Sequence, residues 1–316
     1  MDDLSILSLN NLYYYTPTYH VPTWYNERHM LPKINKAVLM SDINYFGDGQ
    51  AINAYMHENA PIDIPSARNE HQAIQRELET AGITVTKVAA PQSCQDGVYT
   101  ANWGLVRGNK AVLSSLPEAR KGEEPYAEQI LQSLGKKTFK VPAGLHFSGQ
   151  GDALPCGDYL FMGSGYRTDV EVHQFVADTL GYIPISLHTI PKRNWFGRPV
   201  INKASGWPDS FFYDIDLALS VLSPTLIAWC PQAFTKDSQK KIKSLTDIKK
   251  IEVSLIEAKR NFACNLISTG EVVIMSATAP QLQKAIEAEG LRVATPNIHE
   301  LAKGGGYIRC SALTLD

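Results

Sequence analysis

The stretch GGGYIRCSALTL, Gly304 to Leu315, holds the features from which the rest of the chain can be interpreted. Three glycines lead into a short alternating apolar run that carries Cys310. Glycine permits backbone conformations that other residues avoid, and it lets a ligand approach the main chain. A cysteine beyond such a loop can stand at the end of a strand, where a nucleophile acts. The alternative is that Cys310 is a small buried apolar side chain, as most free cysteines are.

Upstream of this stretch, the chain repeats one pattern of strand, strand, helix and strand. The first unit has a buried strand at 36–40, an amphipathic helix at 67–82 and a strand at 83–88, but it lacks an opening strand. Four complete units follow, whose opening strands lie in VYTANWGLV, GDAL, IDLALSVL and ACNLIS. A repeat of this kind is typical of propeller-like or solenoid folds.

The C-terminal run YIRCSALTL is a predicted strand that belongs to none of these units. If it completes the first unit, the ring closes and no sheet edge stays open. We therefore predict an α/β fold, a five-bladed α/β propeller of pseudo-fivefold ββαβ units closed by pairing of the N- and C-terminal segments. The opening strands then meet at the axis, so Cys310 should line a central pocket. Four polar residues near the starts of the other opening strands should join it there: Asp96, Asp152, Asp214 and Asn265.

Composition and charge narrow the function classes. The chain has 316 residues, of which 44% are hydrophobic and 20% charged, as in a globular protein with a sizeable core. Its net charge of -2 gives no basic surface of the kind that binds nucleic acid. The N-terminus does not resemble a secretory signal, and no apolar run is long enough to span a membrane. We expect a cytoplasmic protein with neither nucleic acid nor a membrane as partner.

The cysteines and the aromatic residues suggest how the chain is organised. Five cysteines are dispersed without a CxxC pair, which fits a reducing compartment better than a disulfide framework or a zinc site. Residues 1–35 are rich in tyrosine and proline and are predicted to form an aromatic N-terminal arm. Residues 36–316 are predicted to form a single domain with an insertion loop at 191–211. We expect no metal and no cofactor.

Six segments, in order along the chain, resemble the pentein superfamily of guanidino-group-modifying enzymes, in its amidinotransferase and dimethylarginine dimethylaminohydrolase branch. They are QDGVYTANWGLV (95–106), KGEEPY (121–126), FSGQGDAL (147–154), FFYDIDLALSVL (211–222), FACNLIS (262–268) and GGGYIRC (304–310). The resemblance implies that a cysteine thiolate attacks a guanidinium carbon and forms a covalent thiouronium-type adduct. It also implies a histidine that transfers protons and acidic residues that hold the cationic substrate.

The resemblance also implies roles for particular residues. Carried over by position, Cys310 matches the nucleophile and Asp96 matches a substrate-binding carboxylate. Asp216 matches the acid of the family's HxD motif, and Asp152 matches the acid of its GD pair. Asn265 matches the asparagine of the family's CN motif.

Two positions depart from the family pattern. The family's histidine falls at Asp214, where F-Y-H-x-D reads F-Y-D-I-D, and its acidic residue falls at Ser148, where E-G-x-G-D reads S-G-Q-G-D. A further carboxylate disfavours a thiolate, so we expect Cys310 to be a thiol until a cationic substrate arrives. An aspartate with a raised pKa could replace the histidine as proton donor, because two close carboxylates do not both ionise easily. His146 shares a strand face with Ser148, but a structural role is the simpler interpretation.

The insertion 191–211 contains two tryptophans and four basic side chains, which are Lys192, Arg193, Arg198 and Lys203. Long loops in compact domains are often lids. An aromatic, basic lid over an acidic pocket suggests a substrate with an anionic end, such as an amino-acid carboxylate. The alternative is a solvated spacer or an oligomer contact. Arg167 and Arg309 are further candidates for binding such a carboxylate.

Two functions stay open at this level. The first is a cysteine-dependent hydrolase or amidinotransferase that acts on an arginine-like guanidino compound. Its catalytic residues would be Cys310, Asp214 and Asp216, and its substrate-binding residues would be Asp96, Asp152, Asn265, Arg167, Arg309 and Ser148. The second is a catalytically degenerate pentein that binds a small cationic ligand or a protein partner, since fold alone does not decide function. A homodimer is left open in both cases.

Overall fold

The structure, a computed structural model, describes residues 33–56, 61–203 and 206–316. Within these residues, fifteen strands form five three-stranded sheets. The strands are β1 (Ala37–Ser41), β2 (Thr84–Val88), β3 (Gly104–Arg107), β4 (Lys110–Leu113), β5 (Lys137–Lys140), β6 (Ala153–Cys156), β7 (Tyr159–Met162), β8 (Ile183–Ser186), β9 (Leu219–Ser223), β10 (Leu226–Trp229), β11 (Lys249–Glu252), β12 (Ile267–Ser268), β13 (Val272–Ile274), β14 (Arg292–Ala294) and β15 (Leu313–Thr314). The arm predicted at 1–35 lies almost wholly outside the described residues.

The helices lie between the strands and on the links between sheets. They are α1 (Ile64–Thr80), α2 (Glu123–Ser133), α3 (Val172–Leu180), α4 (Lys236–Ser244), α5 (Leu255–Asn261), α6 (Pro280–Ala288) and α7 (Glu300–Lys303). None of the helices in the described part of the chain is both long enough and apolar enough to cross a membrane.

Each sheet repeats one arrangement of its three strands. The middle strand pairs antiparallel with the opening strand and parallel with the last strand. Neighbouring parallel strands need a crossover connection, because a short turn cannot reverse the chain twice. Helices α1, α2, α3, α4 and α6 supply these five crossovers. The predicted repeat of strand, strand, helix and strand is therefore confirmed.

The first sheet is completed by the C-terminal end of the described chain. Its strand order is β15-β1-β2, and β15 pairs antiparallel with β1 so that Leu39 lies opposite Leu313. The predicted pairing of the two ends of the domain is confirmed. The predicted length of this last strand was wrong, because only Leu313 and Thr314 are extended. Cys310 lies in a turn before the strand, where the N–H of Ser311 donates to the carbonyl of Tyr307 at 3.3 Å.

Two features of the helices differ from the sequence prediction. Helix α1 begins at Ile64, three residues earlier than predicted, because the Asp63 carboxylate accepts a hydrogen bond from the N–H of Ser66 at 3.0 Å. This N-cap satisfies a donor that the first turn would otherwise leave unpaired. Helices α5 and α7 were not predicted, since both are short and lie on the links between units.

The described residues of the insertion 191–211 pair with one another in two successive antiparallel turns. Backbone bridges join Arg193 to Pro199 and Ile201 to Pro208. At the tip of the first turn, Trp195 is 96% exposed and Phe196 is 82% exposed, so neither ring covers other parts of the protein. The prediction of an aromatic lid was therefore wrong for this tip, although Asn202 in the second turn donates to the carbonyl of Ala51 at 3.2 Å.

We expect Leu313→Ala to destabilise the protein by about 2–5 kcal/mol, the range for truncating a buried leucine. Leu313 is fully buried and packs in one cluster with Leu39 and Trp103, which belong to different parts of the chain. The loss would be measured as the free energy of unfolding in urea. Leu255→Ala, at a leucine that is 37% exposed, is the control and should cost much less. Equal losses in the two variants would contradict a stabilising role for the end pairing.

Candidate functional site

Cys310 is held by two side chains from other sheets. Its thiol donates to Asp216 Oδ2 at 3.3 Å, and Asn265 Nδ2 donates to its sulfur at 3.1 Å. The N–H of Cys310 also donates to Asn265 Oδ1 at 3.2 Å, so one amide fixes both ends of the residue. Cys310 is 2% exposed, and Asp216 and Asn265 are fully buried. The structure thus brings together the predicted nucleophile and two of its predicted partners.

The three glycines before Cys310 make room for protein side chains. Gly305 has a φ of +89°, which favours glycine, and a Cβ there would clash with the amide of Asn53. A Cβ on Gly306 would clash with the ring of Tyr99, whose hydroxyl donates to the carbonyl of Leu301 at 2.7 Å. We expected the glycines to admit a ligand. In the structure, Asn53 and Tyr99 lie against them.

The surroundings of Cys310 favour its neutral form. Burial raises the pKa of the Cys310 thiol well above its ordinary value, and the charges of Asp216 and Asp214 raise it further. Burial, followed by the charge of Asp214, also raises the pKa of Asp216 well above that of a free carboxyl. Asp216 Oδ1 is buried and has no hydrogen-bond partner among the described residues. A thiol and a carboxyl with a raised pKa therefore lie side by side, with one carboxyl oxygen unpaired.

Asp214 is fully engaged by polar neighbours. Ser148 Oγ donates to its Oδ1 at 2.8 Å, and Asn102 Nδ2 donates to its Oδ2 at 2.9 Å. The guanidinium of Arg167 lies 3.6 Å from Oδ2 and stacks over the ring of Tyr213, 4.0 Å from its centroid. Ser148 and Asp214, the two positions at which the resemblance implied other residues, thus contact each other directly.

Asp152 supports the turn that carries Asp214 and Asp216. Its Oδ1 accepts a hydrogen bond from the N–H of Ile215 at 2.8 Å, and the residue is 2% exposed. Burial, together with the charge of Asp214, raises the pKa of Asp152 to about 8. Asp96 is also buried, and desolvation raises its pKa to about 6.

Asp152 should make stability depend on pH. In the unfolded chain its pKa is near 3.9, whereas burial raises the pKa to about 8 in the folded protein. The folded state therefore keeps a proton that the unfolded state loses, and the associated stability is complete below about pH 4 and lost as the pH rises through about 8. We expect Asp152→Asn to gain stability relative to the unmodified protein as the pH rises from about 5 to about 8.

Urea unfolding at several pH values would measure this dependence. Asp158→Asn, at an exposed carboxylate in the same sheet, is the matched control and should leave the pH profile unchanged. Parallel profiles for Asp152→Asn and the unmodified protein would contradict the expectation.

Three residues of the site were not singled out from the sequence. Arg120 is buried and donates to Asn102 Oδ1 at 2.8 Å and to both carboxylate oxygens of Glu123 at 2.7 Å. It therefore fixes Asn102, which in turn holds Asp214. Asn102 lies within the family-like stretch 95–106, which was the available signal, whereas Arg120 lies just outside the KGEEPY segment.

Tyr55 is the third residue that sequence reasoning missed. Its ring packs 4.5 Å from the ring of Phe262 and 5.3 Å from that of Phe211. Burial, followed by the charges of Cys310, Cys264 and Asp216, raises the pKa of Tyr55. Its hydroxyl is buried without a partner among the described residues. No motif marked this tyrosine, since its position depends on a long loop.

Two predicted residues lie apart from the sulfur. His146 Nδ1 pairs with Asp169 Oδ2 at 2.9 Å and its ring meets Trp207 edge-on, which agrees with a structural role. Arg309 donates to Asn35, Gln150 and Thr314, and it lines a cavity that Cys310 does not line. Among the described residues, no histidine forms a hydrogen bond with Cys310, Asp214 or Asp216.

Comparison with known proteins identifies a family and several relatives of the chain. The model of a family described as N,N dimethylarginine dimethylhydrolase, eukaryotic, matches residues 46–315. The chain is 29% identical over 285 residues to the bifunctional arginine dihydrolase/ornithine cyclodeaminase ArgZ of Synechocystis sp., covering 87% of this chain and 37% of ArgZ. It is 29% identical over 274 residues to the N(G),N(G)-dimethylarginine dimethylaminohydrolase of Mycobacterium tuberculosis, covering 86% of this chain and 83% of that protein. The chain thus spans little more than a third of the length of the bifunctional relatives.

Solved structures show the same likeness. The N-terminal domain of ArgZ bound to product superimposes with a TM-score of 0.79 at 27% identity, covering 89% of this chain and 97% of that domain. A variant of the enzyme from Pseudomonas aeruginosa in complex with citrulline gives a TM-score of 0.69 at 20% identity, covering 88% of this chain and 98% of the other. The second likeness concerns the fold alone.

Proposed function

The chain belongs to the eukaryotic N,N dimethylarginine dimethylhydrolase family, and from this premise we propose that it hydrolyses a guanidino compound through a covalent adduct on Cys310. The inferred resemblance to guanidino-modifying penteins is confirmed by this match and by the relatives. The observation that carries the proposal is the contact of the Cys310 sulfur with Asp216 and Asn265 in a buried site.

We further infer that the five sheets are the blades of a closed ring in a single domain at 36–316. Each sheet contacts the next along the chain: β15 contacts β3, β6 contacts β9, and β9 contacts β12. Strand β3 also contacts the turn Gly149–Gly151 that leads into β6, and helix α1 contacts β13, which joins the last unit to the first. A ring of this kind explains how residues 102, 148, 214, 265 and 310 can surround one axis.

The proposed substrate is an arginine-like molecule with a guanidinium at one end and a carboxylate at the other. The unpaired Oδ1 of Asp216 can accept a hydrogen bond from the guanidinium, and a cation next to the thiol lowers the pKa of the thiol. Arg167 is 6% exposed and has a buried Nη2 without a partner among the described residues, so it can bind the carboxylate. Asp96 remains a candidate for the guanidinium.

We assign proton transfer to Asp216 and a positioning role to Asp214. The cationic guanidinium next to Asp216 favours the carboxylate form of that residue, so Asp216 loses its proton when the substrate binds. As the sulfur forms its bond to the guanidinium carbon, the thiol proton passes to Asp216 Oδ2, which already accepts its hydrogen bond. The same proton then goes to the leaving amine as the carbon–nitrogen bond breaks. In the second half, water attacks the carbon of the adduct and gives one proton to Asp216. The carbon–sulfur bond then breaks, the proton on Asp216 returns to the sulfur, and the second proton of the water passes to solvent as its oxygen stays in the citrulline-type product. Asp214 is less suited to this exchange, since both its oxygens already accept hydrogen bonds.

Transfer of the amidino group to an acceptor amine is the other outcome of the same adduct. We favour hydrolysis because the named relatives are hydrolases. The assay is incubation with arginine, methylated arginines, agmatine and guanidinoacetate, followed by detection of a citrulline-type product, of ammonia and of a covalent adduct by mass spectrometry. Absence of product and of adduct across this panel would rule out the proposed chemistry.

A second candidate function is binding without turnover, favoured by two observations. No histidine of the described chain forms a hydrogen bond with the sulfur, and the ring of Tyr55 packs against that of Tyr213, with 6.4 Å between the centroids. In that case calorimetry would show that the unmodified protein binds a guanidinium compound, and mass spectrometry would show no adduct on it. Cys310→Ala would bind the same compound with unchanged affinity. A cytoplasmic location and a homodimer remain proposals in either case.

A further inference from the structure

A cavity of about 270 Å³ lies beside Arg309. Arg309 Nη1 donates to Asn35 Oδ1 at 3.3 Å and to Thr314 Oγ1 at 3.2 Å, and its Nη2 donates to Gln150 Oε1 at 3.1 Å. All three acceptors are neutral. Cys310, Asp214 and Asp216 do not line this cavity, so it is separate from the site described above.

The charge of Arg309 is not balanced by a direct ion pair. The residue is 4% exposed, and no carboxylate of the described chain lies within ion-pair distance of it. Its Nε is buried without a hydrogen-bond partner among the same residues. A buried charge without a counterion is costly, and burial lowers the pKa of Arg309 to about 10.

The charged side chains that line the cavity, Arg309 included, leave a positive balance. Lys33 and Asp316 line it together with Arg309, which makes two cations and one carboxylate. Asp316 Oδ1 also accepts a hydrogen bond from the N–H of Ala37 at 3.2 Å, which engages part of that carboxylate. Asp216 and Cys310 act on Arg309 from the neighbouring site, but burial raises the pKa of both and favours their neutral forms.

We propose that this cavity binds a small oxyanion, of the carboxylate or phosphate type, as counterion to Arg309. A guanidinium presents its N–H groups in a planar fork that matches such oxyanions, and the guanidinium of Arg309 donates only to neutral oxygens. The volume is several times the roughly 30 Å³ that one liquid water occupies, so a compact anion with a few waters fits. The side chain of Gln150, 3% exposed, forms part of the wall next to the guanidinium.

The test is calorimetric titration of the full chain with sodium phosphate, and separately with sodium acetate, in a zwitterionic buffer. The informative variant is Gln150→Glu. Gln150 Oε1 accepts hydrogen bonds from Arg309 and from the N–H of Thr314 at 2.7 Å, and a glutamate of the same length can accept both. It would place a carboxylate against Arg309 and take the role of the anion. We expect one saturable site in the unmodified protein and at least tenfold weaker binding in Gln150→Glu.

Gln132→Glu, the same change at an exposed position on α2, is the matched control and should bind as the unmodified protein does. Binding of phosphate alone, or of acetate alone, would assign the type of oxyanion. If Gln150→Glu does not fold, Arg309→Gln should show the same loss. Absence of saturable binding in the unmodified protein, or equal affinity in the unmodified protein and the variant, would overturn the proposal.

Discussion

Replacement of Cys310 by alanine is expected to abolish turnover and the covalent adduct while leaving substrate binding within a few-fold of its original affinity. The sulfur is the atom that forms the bond to carbon in the proposed reaction, and no other nucleophile of the described chain contacts Asp216. Activity should therefore fall to the limit of detection, a loss larger than the 10²–10⁴-fold typical of removing one acid or base. The measurements are single-turnover product formation and intact-protein mass after quenching.

A matched control separates the role of this thiol from that of buried thiols in general. Cys264 is fully buried and lies one residue before Asn265, but it makes no hydrogen bond to Asp216 among the described contacts. Cys264→Ala should keep the adduct and the product. An adduct that persists in Cys310→Ala would refute the assignment of the nucleophile. Loss of substrate affinity in the same variant would instead indicate that the thiol holds the ligand.

In the protein without substrate, Cys310 should react slowly with thiol reagents. The raised pKa of Cys310, caused by burial and by Asp216 and Asp214, leaves little thiolate near neutral pH. Reactivity toward iodoacetamide should increase only toward high pH, and a bound guanidinium should shift that increase to lower pH.

The sequence predicts the parts of the site that a periodic pattern or a motif marks. The repeat of strands and helices predicted the sheets and the pairing of β1 with β15, because buried strands and crossover helices differ in period. The same reasoning placed Cys310 and Asn265 near one axis. Motif order then identified the family and the departures at Ser148 and Asp214, although the contact between these two residues required the structure.

What the sequence did not predict depends on the directions of side chains in the folded protein. Arg309 was expected at the substrate pocket because it adjoins Cys310, yet it faces Gln150 and Thr314. Arg309 and Cys310 lie in a turn before β15, so the strand alternation predicted for this run did not determine the directions of their side chains. Tyr55 lies in a long loop without periodicity, and its contact with Phe262 spans more than two hundred residues of sequence.

The second large effect is expected from restoring the pair that the family resemblance implies. We expect the double variant Ser148→Glu, Asp214→His to raise the rate of product formation by about 10²–10⁴-fold, the usual contribution of a positioned acid or base. A histidine has a pKa near 6.5, so it can protonate a leaving amine at neutral pH. Its cationic form would also lower the pKa of Cys310, where Asp214 raises it.

The two substitutions should depend on each other, because Ser148 Oγ and Asp214 Oδ1 are 2.8 Å apart. Ser148→Glu alone adds a carboxyl next to Asp214, which disfavours the thiolate and should lower activity. Asp214→His alone removes the ion pair with Arg167 and leaves the new ring without a carboxylate to orient it. The gain in the double variant should therefore exceed the product of the two single effects.

Steady-state kinetics with the preferred substrate, and thermal unfolding of each variant, would measure this coupling. Ser148 and Asp214 are fully buried and both substitutions enlarge the side chain, so thermal unfolding must show that each variant folds. A folded double variant whose kcat stays at the level of the unmodified protein would contradict the view that proton transfer limits the reaction. That result would indicate that Asp216 alone supplies the proton for the leaving amine. The rate would then be limited by a step after formation of the adduct.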